Sequence, residues 1–546
     1  MRPKQELADA LADIIGADVS AADIEEPDQP GHGDYALPMM GLADDPRAAA
    51  ESAADEIAGH ELVERAEVAG PGYLNMFVDR ELFAQRIMEM LQEEHMGVAQ
   101  RDGSLLLEFS QPNMAKPMHV GHFRNNALGD ALQRIFRFVG YDVTSENYIG
   151  DWGTQYGKLI HAFKEYGSME EFEEQPMEHM FDLYVKFHEE LEDDPEMEEK
   201  GREWARRIEE GDDEAVELWE MFREASMAHH QEDYERMDVE FDRVTGESTV
   251  VEGTKEILAD GVERGIIEED DDGSLYIEFE ELPDVVVRRA DGATLYLSRD
   301  LENLRKRKED EGFDYNLILT GSEQELHFQQ VFAACEKLGI DTSGCEHISY
   351  GLLNLPEGSM SSREGRIIRL SDLLDEAVEQ AEQKLAEEGK HLNVAEEIGI
   401  GAAKYANLRV SRNKNIEFDW DRVLSFEGDA GPYLQYANTR AKSILAKVDG
   451  TGRITGEPTD REHALVTALA GFPGAVEAAA DQREPAKLAT YLADLSDTFN
   501  TFYHECRVLD ADSDAARQRR LALVRLFRDV TDQGLELLGI DPLEAM

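Results

Sequence analysis

The stretch Leu105-Leu106-Leu107-Glu108-Phe109-Ser110-Gln111-Pro112-Asn113-Met114-Ala115-Lys116-Pro117-Met118-His119-Val120-Gly121-His122 constrains the fold more than any other part of the chain. A leucine-rich run too short for a helix passes through a loop punctuated by two prolines. Phe123, Leu128, Ala131, Leu132, Ile135 and Val139 then repeat at helical spacing. Strand, loop and helix in that order, with further short β-branched or leucine-rich runs at 141–148, 316–320 and 347–353, predict a parallel sheet flanked by helices. His119 and His122 fall in the helix's first turn, three apart and on one face, and Gly121 between them leaves the backbone open to a flat ligand. The positive end of the helix dipole and two imidazole donors converge there, as an anionic phosphate requires. On spacing alone, a pair of histidines that merely caps the helix start is the plainer alternative.

A late element supplies the context. Gly358-Ser359-Met360-Ser361-Ser362-Arg363-Glu364-Gly365 follows the last strand and carries hydroxyl and guanidinium donors on a loop suited to folding over a triphosphate. A helix start early and a donor-rich loop late are the two halves of a doubly wound α/β nucleotide fold.

Three regions are expected. Residues 1–97 read as a small α/β module, opened by Leu7, Leu11, Ile14 and Ile15 at helical spacing and closed by a glycine-rich turn into a strand and a helix. Residues 98–392 hold the sheet, interrupted at about 160–250 by an acidic insertion. There the spacing of Phe181, Tyr184, Val185 and His188 predicts a peripheral helical cap, and the acidic run 189–194 reads as a solvated face. Residues 393–546 are almost entirely helical and read as an all-α bundle.

Against 54 basic side chains stand 118 acidic ones, a net charge of −64 spread along the whole chain. This excludes a basic DNA-coating protein, although a local site can differ in sign from the whole. Hydrophobic residues at 42% exclude wholesale disorder, and the dispersed acid suggests a very saline cytosol in which screening removes the self-repulsion. Cys335, Cys345 and Cys506 form no zinc or redox motif and read as small hydrophobes of a reducing compartment. No run approaches 18 uncharged apolar residues, so a soluble cytoplasmic protein with no membrane partner is the expectation.

The paired elements resemble the HIGH and KMSKS signatures of class I aminoacyl-tRNA synthetases, and the longer context resembles the arginyl-tRNA synthetase family. Carrying this are residues 108–122, Asn147-Tyr148-Ile149-Gly150-Asp151-Trp152-Gly153-Thr154-Gln155, Asp291-Gly292 with Leu295-Tyr296-Leu297-Ser298-Arg299-Asp300, and Asp429-Ala430-Gly431-Pro432-Tyr433-Leu434-Gln435-Tyr436-Ala437, in the family's order. The resemblance implies a class I Rossmann-like catalytic domain, an N-terminal additional domain and a helical anticodon domain. It implies that L-arginine attacks the α-phosphorus of ATP, giving arginyl-adenylate and pyrophosphate, and that the arginyl group then passes to its tRNA. Phosphate charge then dominates catalysis, so positioned donors suffice without a protein nucleophile. Lys116, His119, His122 and Arg363 are the catalytic candidates, with Gly121, Met360, Ser361 and Ser362 completing the ATP site. Magnesium is expected to travel with the ATP, with no dedicated metal ligands.

Arginine itself needs an anionic receptor. By resemblance Tyr296 and Asp300 line it, one helical turn apart if a helix begins at Ser298, with Glu108, Asn113 and Gln324 around the amino acid. Tyr433, Gln435 and Tyr436 are candidates for contacting tRNA bases, with core packing as the alternative, and Arg440, Lys442, Lys447, Arg517, Arg519, Arg520, Arg525 and Arg528 could form a phosphate track. The chain departs from the family at Ser359 and at Arg363-Glu364, where lysines are common, and at Gln111, where serine is. The competing readings are a catalytically silent tRNA-binding paralogue and a nucleotidylyltransferase-like enzyme. A monomer is expected.

Overall fold

The computed structural model describes residues 2–27, 30–354, 368–390, 392–425, 428–448, 450 and 452–545. Its central sheet has five parallel strands in the order Cys345–Tyr350, Tyr315–Gly321, Ser104–Glu108, Asp142–Ile149 and Arg243–Gly246. The chain enters at the middle strand, builds outward to one edge and returns to build the other half. Winding therefore reverses beside Ser104–Glu108, and ligands of such sheets bind at the carboxyl ends of the strands at that reversal. The loop 109–119 and the start of the Val120–Phe138 helix occupy this position.

Leu105–Leu107 and 317–319 are buried, as strands covered on both faces must be. The Val120–Phe138 helix packs back onto them through Phe123, Ala127, Leu128, Ala131, Leu132 and Ile135. Gly129 permits the close approach, since a Cβ there would lie 2.2 Å from the Phe109 ring.

This arrangement corrects two expectations. Arg243–Gly246 is a fifth strand inside the stretch assigned to the insertion, a four-residue edge strand with Val244 exposed and therefore without an apolar run to announce it. The insertion consists of the helices Thr154–Tyr166, Met169–Glu174, Pro176–Asp193, Met197–Glu209 and Asp213–Arg236, which share a core with Met114, Ala115 and Ile149. In Pro176–Asp193 the buried stripe is Met177, Met180, Leu183 and Phe187. The predicted packing face lies beside it: Val185 is exposed, and Tyr184 and His188 bond each other at 2.9 Å.

The N-terminal module has helices Pro3–Ile15, Pro46–Ile57 and Arg80–Leu91 on an antiparallel sheet ordered Tyr35–Pro38, Tyr73–Val78, Val63–Ala69. It docks on the C-terminal bundle through His463–Asp34 at 2.7 Å and Arg80–Asp460 at 2.8 Å. Within the bundle Phe499 stacks on Phe527 with ring centroids 3.7 Å apart. Residues 460–481 do reach the length and apolarity of a membrane span, contrary to expectation. They form two helices parted at Gly471, with Leu465, Val466, Leu469, Phe472 and Val476 in the bundle core.

The segment 539–543 is stitched into the fold by its carbonyls. The buried Lys404 ammonium donates to Met237 and, at 2.7 Å, to Gly539. Gln435 donates to Asp541 at 3.2 Å and Lys442 to Leu543 at 3.0 Å.

Candidate active site

The site is built at the carboxyl ends of the central strands, from the loops and helices that follow them. His119 is the N-cap of Val120–Phe138, and the two histidines cap that helix reciprocally. The Gly121 N–H donates to His119 Nδ1 at 3.0 Å, and the His119 N–H donates to His122 Nδ1 at 3.1 Å. Both Nδ1 atoms being acceptors, the neutral rings carry their protons on Nε2, free to donate to a ligand. Burial, with His119 and His230 close by, pushes His122 down to about 3, and burial lowers His119 as well. The pair is thus neutral at physiological pH, and it supplies hydrogen bonds without positive charge. Gly121 serves the cap itself, since a Cβ there would lie 2.8 Å from His119 Cε1.

Positive charge comes from the loop before the helix. Lys116 Nζ donates to the Tyr184 hydroxyl at 3.1 Å and stands 4.2 Å from that ring's centroid, so the insertion holds the ammonium at the edge of the cleft. Met360, Ser361, Ser362 and Arg363 lie outside the described residues. The chain leaving their segment runs beside the histidines: the Val120 N–H donates to Ile368 at 3.1 Å and the Leu370 N–H to Met118 at 2.9 Å.

Beside this cluster lies an acidic pocket. The Tyr296–Arg305 helix begins two residues earlier than expected and still sets Tyr296 and Asp300 one turn apart. Tyr296 is 59% exposed, under the Arg299 guanidinium at 4.9 Å. Asp300 Oδ2 lies 2.6 Å from His327 Nε2. Glu247, just after the unforeseen edge strand, pairs with Arg299 at 3.2 Å. Burial pushes its carboxyl up to about 7, Arg299 pulling it down and Asp300 and Asp151 raising it further. Glu108 is buried and paired with Arg307 at 2.5 Å, and Arg307 also holds Glu146 at 2.6 Å. Tyr148 is buried within the field of Asp300, Glu247 and Glu108, and its hydroxyl has no hydrogen-bond partner among the described residues. Asn113 and Gln324 are exposed at the rim, Asn113 beside Gly150 and Gln324 one turn before His327. Gln111 donates to Glu108 at 2.7 Å and accepts from Asn125 at 3.3 Å, so it braces the loop.

Sequence reading missed Glu247, Tyr148, Tyr184, Arg307 and His327. Recognition of Arg243–Gly246 as a strand would have marked Glu247, Tyr148 stood unassigned inside a quoted motif, and Tyr184 was read only as part of a helical stripe; Arg307 and His327 carry no local signal.

At the far end of the molecule Gln435 is fully buried and bonded to Asp541, which removes it from any base-contacting surface. Tyr433 donates to Asp497 at 2.6 Å. Tyr436 lies between Lys390 at 4.5 Å and Arg440 at 4.8 Å, and Arg440 also covers Tyr503 at 4.8 Å. The expected basic track is largely neutralised: Arg519 and Arg520 pair with buried Glu462 at 2.8 and 2.6 Å, Lys442 with Asp532 at 3.2 Å, and Arg528 with Asp529 at 2.5 Å.

Comparison with known proteins agrees with this architecture. The family model for the class I (R) tRNA synthetase catalytic domain matches residues 86–420, that for the arginyl-tRNA synthetase N-terminal domain 2–78, and that for the DALR anticodon-binding domain 434–546. The winding reversal and its histidine-capped helix are therefore those of a class I aminoacyl-tRNA synthetase. The chain is 38% identical to the arginine–tRNA ligase of Exiguobacterium sibiricum, over 100% of both chains. It is 35% identical to that of Halothermothrix orenii, over 98% of this chain and 99% of the relative. Its structure resembles Thermus thermophilus arginyl-tRNA synthetase with a TM-score of 0.82, at 27% identity and 100% coverage of both. The chain belongs to the arginyl-tRNA synthetase family and is an arginine–tRNA ligase.

Proposed function

We propose that the acidic pocket receives the arginine guanidinium between Asp300 and Glu247, with Tyr296 at its mouth. The observation that carries this reading is the buried Tyr148 hydroxyl, without a partner among the described residues, facing the carboxylates of Asp300, Glu247 and Glu108, with the Arg307 guanidinium 5.6 Å from its ring. A desolvated cation with several donors satisfies both the charge and the hydroxyl. Glu108, with Asn113 and Gln324 at the rim, is the receptor for the α-ammonium group. The arginine carboxylate attacks the α-phosphorus of ATP, and pyrophosphate leaves. Negative charge on the phosphoryl oxygens is met by Nε2–H of His119 and His122, by the helix terminus around Gly121, and by Lys116 once it leaves Tyr184. By resemblance Met360, Ser361, Ser362 and Arg363 are proposed to belong to the same ATP site. In the second step a ribose hydroxyl of the tRNA attacks the arginyl carbonyl carbon and AMP departs.

Among the described residues no group of three or more His, Cys, Asp or Glu side chains could hold a metal ion. Magnesium is proposed to travel with the nucleotide, bound by its phosphates. Tyr436, with Arg440 and Tyr503, supports stacking on an unpaired tRNA base, and Tyr433 stands beside it. We further propose domain divisions at 97 and 392, a monomer, a cytoplasmic location without a membrane partner, and a saline milieu, the last supported by the charge of −64. The deciding experiment is pyrophosphate exchange into ATP with each amino acid in turn, with and without tRNA. Exchange with arginine alone among them supports the assignment. Exchange with none points to the silent paralogue, and ATP turnover independent of amino acid to a nucleotidylyltransferase-like enzyme.

A further inference from the structure

The Asp213–Arg236 helix of the insertion carries Ser226, His230 and Tyr234 at intervals of four, and so on one face. All three are buried. Each turns its polar atom on the loop that joins the middle strand to the histidine-capped helix. Ser226 Oγ accepts from the Ala115 N–H at 2.9 Å and donates to the Phe222 carbonyl at 2.7 Å. His230 Nε2 lies 3.0 Å from the Lys116 carbonyl oxygen, which can only accept, so this nitrogen carries the proton. The Tyr234 hydroxyl is 2.7 Å from Ser110 Oγ and accepts from Asn147 Nδ2 at 3.0 Å. The loop so held has three non-glycine residues with left-handed backbone, Ser110 at φ +76°, Gln111 at +49° and Ala115 at +62°. Such conformations persist only where their surroundings over-determine them. Apolar contacts come from the same source, because Met114 and Ala115 belong to the insertion's own core.

We propose that Ser226, His230 and Tyr234 are positioning residues for adenylate formation. Through the backbone of Ala115 and Lys116 and the side chain of Ser110 they mould the loop that delivers Lys116 and His119 to the nucleotide. The insertion is on this view a die for the phosphate site as well as a cap over it. The proposal rests on the assignment of Lys116 and His119 to the ATP phosphates.

The test uses the full chain in single-turnover adenylate formation at saturating ATP, with KM for arginine and thermal stability measured alongside. Tyr234→Phe removes one oxygen, and Ser226→Ala can be set against Ser226→Thr, which restores it. Displacing the loop by a fraction of an ångström should slow adenylate formation about tenfold or more in Tyr234→Phe and Ser226→Ala. KM for arginine should rise by less than the rate falls, because Glu108 and Asn113 border the loop while Glu247 and Asp300 stand on other elements, and Ser226→Thr should recover most of the rate. The double variant should lose less than the product of the two single losses, because both act on one loop. Rates within about twofold of the parent, or rate losses that merely follow the unfolded fraction, would overturn the proposal. A parent enzyme that activates no amino acid at all would overturn the functional assignment instead.

Discussion

Arginine affinity should rise with pH through neutrality, and the cause is Glu247. Burial beside Asp300 and Asp151 holds its carboxyl at about 7, so near neutrality half the unliganded molecules carry a proton there. A guanidinium in the pocket demands the ionised form, so binding must expel that proton. The sign follows directly: below about 7 the deprotonation opposes binding, and above it the opposition disappears. One pH unit below the pKa costs about 1.4 kcal/mol, so the dissociation constant at pH 6 should be about ten times that at pH 8. Calorimetric titration of arginine in buffers of differing ionisation enthalpy should count roughly 0.9 proton released at pH 6 and about 0.1 at pH 8. Glu247→Gln should flatten the profile and weaken binding, and a profile that persists in that variant belongs to another group. A flat profile in the parent with no proton release refutes the assignment of Glu247 to the guanidinium site.

Other expectations are as direct. Asp300→Asn should weaken arginine binding by about 3–5 kcal/mol while ATP binding is nearly unchanged, and should move the Glu247 transition below neutrality; unaltered arginine affinity would mean that another carboxylate is the receptor. Lys116→Ala should slow adenylate formation by about 10²–10³, with tRNA affinity little changed, because Ser359 and Glu364 stand where the family carries lysine; a loss under about tenfold assigns the missing charge to Arg363 or to magnesium alone. Charging should survive or increase in molar potassium chloride while low salt destabilises the fold, as measured by thermal melts across salt concentration; a stable fold active only at low salt contradicts the saline reading.

The middle strand and its neighbour at 315–321 were legible because Leu105–Leu107 and Leu317–Leu319 are buried and apolar, and because the helix after His119 has an unbroken apolar stripe. The edge strand was not, for a strand with one side in water needs only a few inward residues, and Arg243–Gly246 offers scarcely any. The insertion helix misled for a different reason. Phe181, Tyr184, Val185 and His188 satisfy helical spacing as well as Met177, Met180, Leu183 and Phe187 do, because this helix is used on two adjacent sides, one for the core and one for the cleft. Charge partners are harder still to foresee. Arg519 looks like a phosphate ligand in the sequence, but Glu462, 57 residues away, already holds it.

The stitching of 539–543 bears on the order in which this molecule can become active during its own synthesis. Lys404 is buried, and one of its acceptors is the carbonyl of Gly539, which is made more than a hundred codons later. Until then, of its two carbonyl acceptors among the described residues, the ammonium has Met237 alone, and the Ala395–Leu408 helix cannot bury it without loss. The loop and helix of the nucleotide crevice are thus complete in sequence long before the second acceptor of Lys404 is made. A nascent chain stalled short of residue 539 would hold the whole sequence of the crevice and still lack the carbonyl that, with that of Met237, closes over Lys404.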